Sequence, residues 1–154
     1  MMTARLTTTK DAFARQPIRI LHLEDNILDA VLVKRNLLVG ALRCQIVLCT
    51  TKQEFESTLG TQSFDVILCD YSLPGYSGDA AIRLVQRTCP EIPVIVVSGA
   101  LSEEQAADCL KDGAIDCLLK DHLERLVPAI EKALMAVQQR RRGEAGESLC
   151  ELNA

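Results

Sequence analysis

Five short apolar runs limit what this chain can become: IRILHL (18–23), CQIVLC (44–49), FDVILC (64–69), PVIVVS (93–98) and DCLLK (116–120). Several are continuously apolar rather than alternating, which suits strands covered on both faces, the condition of a parallel sheet between helical layers. The segments between them have helical period and readable starts. Asn26 can cap the helix after the first run, with Asp29 at its third position. Thr51 with Glu54, Ser102 with Gln105, and Asp121 with Glu124 read as capping boxes or near relatives. Gly40, Gly60 and Gly113 sit where helices should stop. The expectation is an α/β fold, a doubly wound five-stranded parallel sheet of order 2-1-3-4-5 with helices on both faces, because right-handed crossovers leave few other orders. A last helix from about His122 to Arg142, roughly 30 Å long, carries Leu123, Leu126, Val127, Ile130, Leu134 and Val137 on one face and should lie across the sheet.

A chain of 154 residues holds one full-sized core. The expected division is a flexible N-terminus over 1–16, one domain over 17–142 that includes the extended last helix, and a flexible tail over 143–154. A net charge of −4 argues against non-specific binding to nucleic acid or an anionic membrane, and 3% aromatic content leaves little for a base-stacking platform. Seven cysteines, at 44, 49, 69, 89, 109, 117 and 150, include no C-x-x-C pair and mostly lie within apolar stretches. They read as small buried thiols of a reducing compartment, with Cys150 in the polar tail the exposed one. The opening MMTARLTTTKDAFARQ lacks the apolar centre of a signal peptide, and no run reaches membrane-spanning length, so a cytoplasmic location is expected.

In open parallel sheets, ligands sit beyond the carboxyl ends of the strands, near the point where strand order reverses. The residues at those ends are Glu24 and Asp25 after the first strand, Asp70 after the third, Ser98 after the fourth and Lys120 after the fifth. Strands one and three are neighbours in the expected order, so their acids should converge. Two carboxylates about 5 Å apart repel by roughly 3 kcal/mol at an effective dielectric near 20. A divalent cation relieves that repulsion, and magnesium prefers hard oxygen ligands, a couple of carboxylates and retained waters. Asp25 and Asp70 are the expected direct ligands, Glu24 acts directly or through water, and the backbone carbonyl of Ser72 can supply one more oxygen. Lys120 brings a positive charge to the same pocket. Taken singly, each residue has a plainer reading: a turn or helix-cap aspartate, a solvated lysine, a turn serine, an acidic pair complementing a helix dipole.

LEDN, CDYSLPGYSGDAAI, VIVVSGA and CLLKDHL, in this order and spacing, resemble the receiver domain of response regulators from two-component (His-Asp) phosphorelays, over about residues 17–136. The resemblance implies a flavodoxin-like receiver fold that accepts a phosphoryl group from a phosphohistidine or small phosphodonor and switches its surface for partner binding. It would be a self-phosphorylating and self-dephosphorylating switch, not a turnover enzyme. Asp70 would be the phosphoacceptor, and Glu24 and Asp25 the acids that hold Mg2+, with Mn2+ as a substitute. Ser98 would contact the phosphoryl group, and Lys120 would pair with the acceptor and then with its phosphate. The implied partner is a histidine kinase or phosphotransfer protein, with a homodimer through the last two helices as a further option. His22, within the first strand, and His122, opening the last helix, fit no donor role and read as structural.

The chain departs from that family at identifiable places. Many receivers carry an aromatic residue three positions before the lysine; here it is Cys117, which cannot transmit a shift as a large ring does. Asp121 stands where many have proline, so a trans bond with Asp121 as helix cap is expected. Ser72 and Ala100 replace larger polar side chains of some relatives. Two other functions compete on the same fold. A dehalogenase-type aspartyl phosphatase wants a second acid two residues after the first, where this chain has Ser72. A nucleotide- or flavin-binding module wants glycine and hydroxyl residues after strand one, where Glu24 and Asp25 would repel phosphate.

Overall fold

The computed structural model describes residues 16–152, with side chains to residue 144. Residues 1–15 of the expected N-terminal segment over 1–16, and the side chain of Cys150, lie outside the described residues. Five strands form one parallel sheet: β1 (Ile18–Leu23), β2 (Cys44–Cys49), β3 (Val66–Cys69), β4 (Val94–Ser98) and β5 (Asp116–Leu119). With the strands so numbered, the order is β2-β1-β3-β4-β5, as the sequence predicts. The connecting helices are α1 (Ile27–Val39), α2 (Lys52–Thr61), α3 (Gly78–Thr88) and α4 (Glu103–Asp112), and a 3-10 turn over Lys120–Arg125 leads into α5 (Leu126–Leu152).

Alternation along each strand divides the core in two. Ile18, Ile20, Val66, Leu68, Ile95, Val97 and Leu118 pack beneath α1 and α5, against Val33, Leu37, Leu126, Ile130 and Leu134. Leu21, Leu23, Ile67, Cys69, Val94 and Val96 face α2, α3 and α4, against Phe55, Leu59, Ile82, Val85 and Cys109. Burial on both faces is why the strand sequences read as unbroken apolar runs. The last helix uses the expected stripe, with Leu126 and Ile130 fully buried.

Capping explains most of the helix starts. Asn26 accepts from the Asp29 N–H, Thr51 from the Glu54 N–H, and Ser102 with Gln105 forms a reciprocal capping box. Asp121 does not cap. Leu119 is already the residue preceding the turn, so Asp121 falls inside it, and no side chain caps this start. His122, at φ −127° and ψ 45°, breaks the turn, and the α-helix begins at Leu126 instead of His122. Its backbone runs to Leu152, past the Arg142 expected from sequence. Gly60 lies within α2, which stops at Thr61. The other two stops hold for different reasons. Gly113 adopts φ +123° at the end of α4, a conformation side chains rarely take. Gly40 has an ordinary φ, but a Cβ there would lie 2.6 Å from Val127 Cγ2, so the glycine admits α5.

Candidate functional site

Register places the functional groups. Leu23 pairs with Cys69, and Cys69 with Val96, so Glu24 and Asp70 leave the sheet side by side. Backbone bonds hold both departures: the Glu24 N–H donates to Cys49 O at 2.9 Å and the Asp70 N–H to Leu23 O at 3.0 Å. Ser98 pairs with Leu119, which delivers Lys120 to the same end of the sheet from β5. After Asp70 the chain makes a small hairpin, Ser72–Leu73 against Tyr76–Ser77, whose turn carries Pro74 and then Gly75 at φ +69°. Gly78 starts α3 hard against that loop. A Cβ there would sit 2.8 Å from Tyr71 Cα, so only glycine lets α3 approach the segment that follows Asp70.

Glu24, Asp25 and Asp70 converge, with one carboxylate oxygen of each lying within 4.8 Å of the others. Glu24 and Asp70 are buried and Asp25 is exposed at the mouth. The Lys120 ammonium donates to Glu24 Oε1 at 2.7 Å, Asp29 Oδ2 at 2.7 Å and Asp70 Oδ2 at 3.1 Å. The Ser72 N–H donates to Asp70 Oδ1 at 3.2 Å. Residue 72 thus offers the acid an amide donor, where the phosphatase alternative needs a second carboxylate. Ser98 is buried, and its hydroxyl donates to Ala100 O at 3.2 Å. Cys117 Sγ lies 3.8 Å from Ala106 O, tying β5 to α4 with a side chain much smaller than an aromatic ring.

Crowding of charge sets the protonation. Burial raises Glu24, its hydrogen bond with Asp70 raises it further against the opposing pull of Lys120, and its pKa reaches about 8. Burial acts the same way on Asp70, but the hydrogen bonds from Glu24 and Lys120 and the Ser72 amide outweigh it and hold Asp70 below the ordinary aspartate value. Burial would lower Lys120; its three carboxylate partners raise it well above an ordinary lysine. A metal-free crevice therefore keeps a proton on Glu24, an anionic Asp70 and a cationic Lys120. His22, buried in β1 beneath the acids, is pushed down to about 4 by burial and then by Lys120, so it stays neutral and serves the core. His122 is exposed beside Glu124 at 3.2 Å, away from the crevice.

All five residues singled out from the strand ends stand at this one edge of the sheet. The structure adds Asp29, which the sequence offers only as an acid in the first turn of a helix. Its position one turn beyond Asn26 and on the crevice side of α1 was the available signal. The donor set also fits a hard divalent cation. Glu24 Oε2 is buried and accepts no hydrogen bond from any N–H or hydroxyl of the protein, in a pocket of carboxylate oxygens with no soft ligand in the trio.

Comparison with known proteins gives the same picture. The transcriptional regulatory protein ZraR of Escherichia coli (strain K12) is 29% identical over 118 residues, covering 76% of this chain and 26% of ZraR, so the chain spans about a quarter of that relative's length. A CheY-like response regulator receiver domain protein from Methanospirillum hungatei JF-1 superposes with a TM-score of 0.72 at 21% identity, covering 81% of this chain and 99% of that one. The beryllofluoride-activated NtrC4 receiver domain dimer superposes with a TM-score of 0.68 at 26% identity, over 77% of this chain and 98% of that one. The family model of the response regulator receiver domain matches residues 20–131. With the sheet order, the acid trio and the opposed lysine already in place, the chain belongs to the response regulator receiver domain family.

Proposed function

We propose that Asp70 is the phosphoacceptor of this receiver and that it takes its phosphoryl group from a phosphohistidine on a partner protein, or from a small phosphodonor. One observation carries the reading: Asp70, anionic and buried at a strand end, sits between the Ser72 amide, the Lys120 ammonium and two further acids suited to a cation. In the reaction an Asp70 carboxylate oxygen attacks phosphorus, the donor's N–P bond breaks, and the imidazole nitrogen leaves with the bonding pair. The product is an acyl phosphate on Asp70. Lys120 turns an N–H toward the incoming phosphoryl oxygens, and the backbone amides near Ser72 and Gly99 offer further donors. The Ser98 hydroxyl, which donates to Ala100 O at 3.2 Å, then exchanges that carbonyl for a phosphoryl oxygen. Mg2+ would be held by Glu24, Asp25, Asp70 and the Ser72 carbonyl, and when bound it offsets charge on the transferring oxygens.

The surface beside the crevice suits a protein donor. Ile27, Leu28, Val31 and Leu32 of α1 are exposed next to Asp25, an apolar strip on which a helical partner presenting its histidine could rest. The signalling output is then a change of surface, with association of two copies through α4 and α5 as one form of it; Leu110 and Met135 stand exposed on those helices. Among the described residues no helix is long and apolar enough to cross a membrane, and a cytoplasmic site of action is part of this reading. Acetyl phosphate with Mg2+ tests it. Intact mass should rise by one phosphoryl group, hydroxylamine should remove it, and both EDTA and Asp70→Asn should abolish the gain. An unmodified wild type, or an Asp70→Asn variant that gains the same mass, would overturn it.

A further inference from the structure

Lys120 has three N–H donors, and a carboxylate oxygen meets each one. Glu24 and Asp70 belong to the trio that converges on a cation; Asp29 does not. Yet Asp29 makes one of the two shortest contacts, at 2.7 Å, while the acceptor itself stands at 3.1 Å. Its place is fixed by the backbone, since its own N–H is held by the Asn26 cap at 3.2 Å. A dication arriving among Glu24, Asp25 and Asp70 takes oxygens that Lys120 now uses, and it repels the ammonium. Without another acid the ammonium would contend with the ion for those oxygens, or leave a position where its side chain is only 15% exposed.

We infer that Asp29 is a positioning residue for the phosphoacceptor site: it is the counter-ion on which Lys120 rests once a divalent cation is bound, so that ion and ammonium occupy one crevice together. The inference rests on the reading of the site given above. A simpler role for Asp29 is to complement the dipole of α1. That role would act equally with or without an ammonium at position 120.

Calorimetric titration with Mg2+ alone separates the two. Wild type, Asp29→Asn, Lys120→Met and the double variant form a cycle. Asp29→Asn should weaken Mg2+ binding about fivefold when Lys120 is present and less than about twofold in the Lys120→Met background, and Asp29→Glu should restore wild-type affinity to within about twofold. Equal losses in both backgrounds would overturn the inference, as would no loss in either or a greater loss in the Lys120→Met background. Circular dichroism checks folding, and Asp29→Ser repeats the cycle if the asparagine variant does not fold. A wild type that fails to bind Mg2+ removes the site reading and this inference together. A wild type that binds, with Asp29→Asn matching it, removes only the role of Asp29.

Discussion

Cys117 sits where many receivers have a ring, and its chemistry follows from its surroundings. Burial, then the neighbouring Cys109, push its pKa up to about 12. At pH 8 the folded protein then holds far less Cys117 thiolate than an unfolded chain. Iodoacetamide should label Cys117 far more slowly in native protein than in urea, with the native rate rising steeply as pH increases; equal rates in the two states would contradict this. Glu24 supplies a stability test. In the metal-free protein it keeps its proton to about pH 8 against an ordinary 4.5, whereas the unfolded chain releases it at the ordinary value. The folded state therefore binds the extra proton, and the resulting stability is present in full below the lower value and lost as pH rises through the upper one. Urea midpoints without metal should fall between about pH 6 and about pH 8.5, Glu24→Gln should flatten that slope, and Mg2+ should offset the fall by binding the folded state.

Glycines do their work between elements, each by a different constraint. At Gly113 both limits apply, because φ is +123° and a Cβ would meet Gln86 Cδ at 2.6 Å. Gly113→Ala should cost about 1–3 kcal/mol in urea denaturation without altering Mg2+ affinity. These positions also show what could be read along the chain beforehand. Strands, caps at Asn26 and Ser102, and the apolar stripe of α5 are local patterns, so they were legible from sequence. Gly60 marked the end of α2 to within one residue, since the helix stops at Thr61, whereas Asp121 misses the cap because the 3-10 turn already starts at Lys120 and takes it inside. Phe64 and Asp65 read as strand, yet β3 begins at Val66; Phe64 packs under Arg19, 5.4 Å from its guanidinium carbon, and Asp65 bonds the Arg19 backbone at 2.8 Å. Asp29 was seen only as a helix-start acid because its partner lies 91 residues away.

At the scale of the whole molecule, the sheet order carries the chemistry. Placing β1 beside β3 joins Glu24 and Asp25 to Asp70, and with β5 two strands beyond β3 the long arm of Lys120 still reaches Glu24 and Asp70. The strand-end rule predicted this gathering before any geometry was known, because it depends on topology and not on side-chain detail. What it could not supply was the sharing of one ammonium among three acids, which depends on the exact reach of each side chain. The phosphoacceptor chemistry requires that acids from two strands hold one hard cation opposite Lys120. A crystal grown with Mn2+ in place of Mg2+ tests it most directly through the anomalous signal of the ion. One strong peak is expected within direct coordination distance, about 2 Å, of carboxylate oxygens of Asp25 and Asp70 and of the Ser72 carbonyl. A crevice without a peak at saturating Mn2+, or an ion bound only at other acids of the surface, would contradict it.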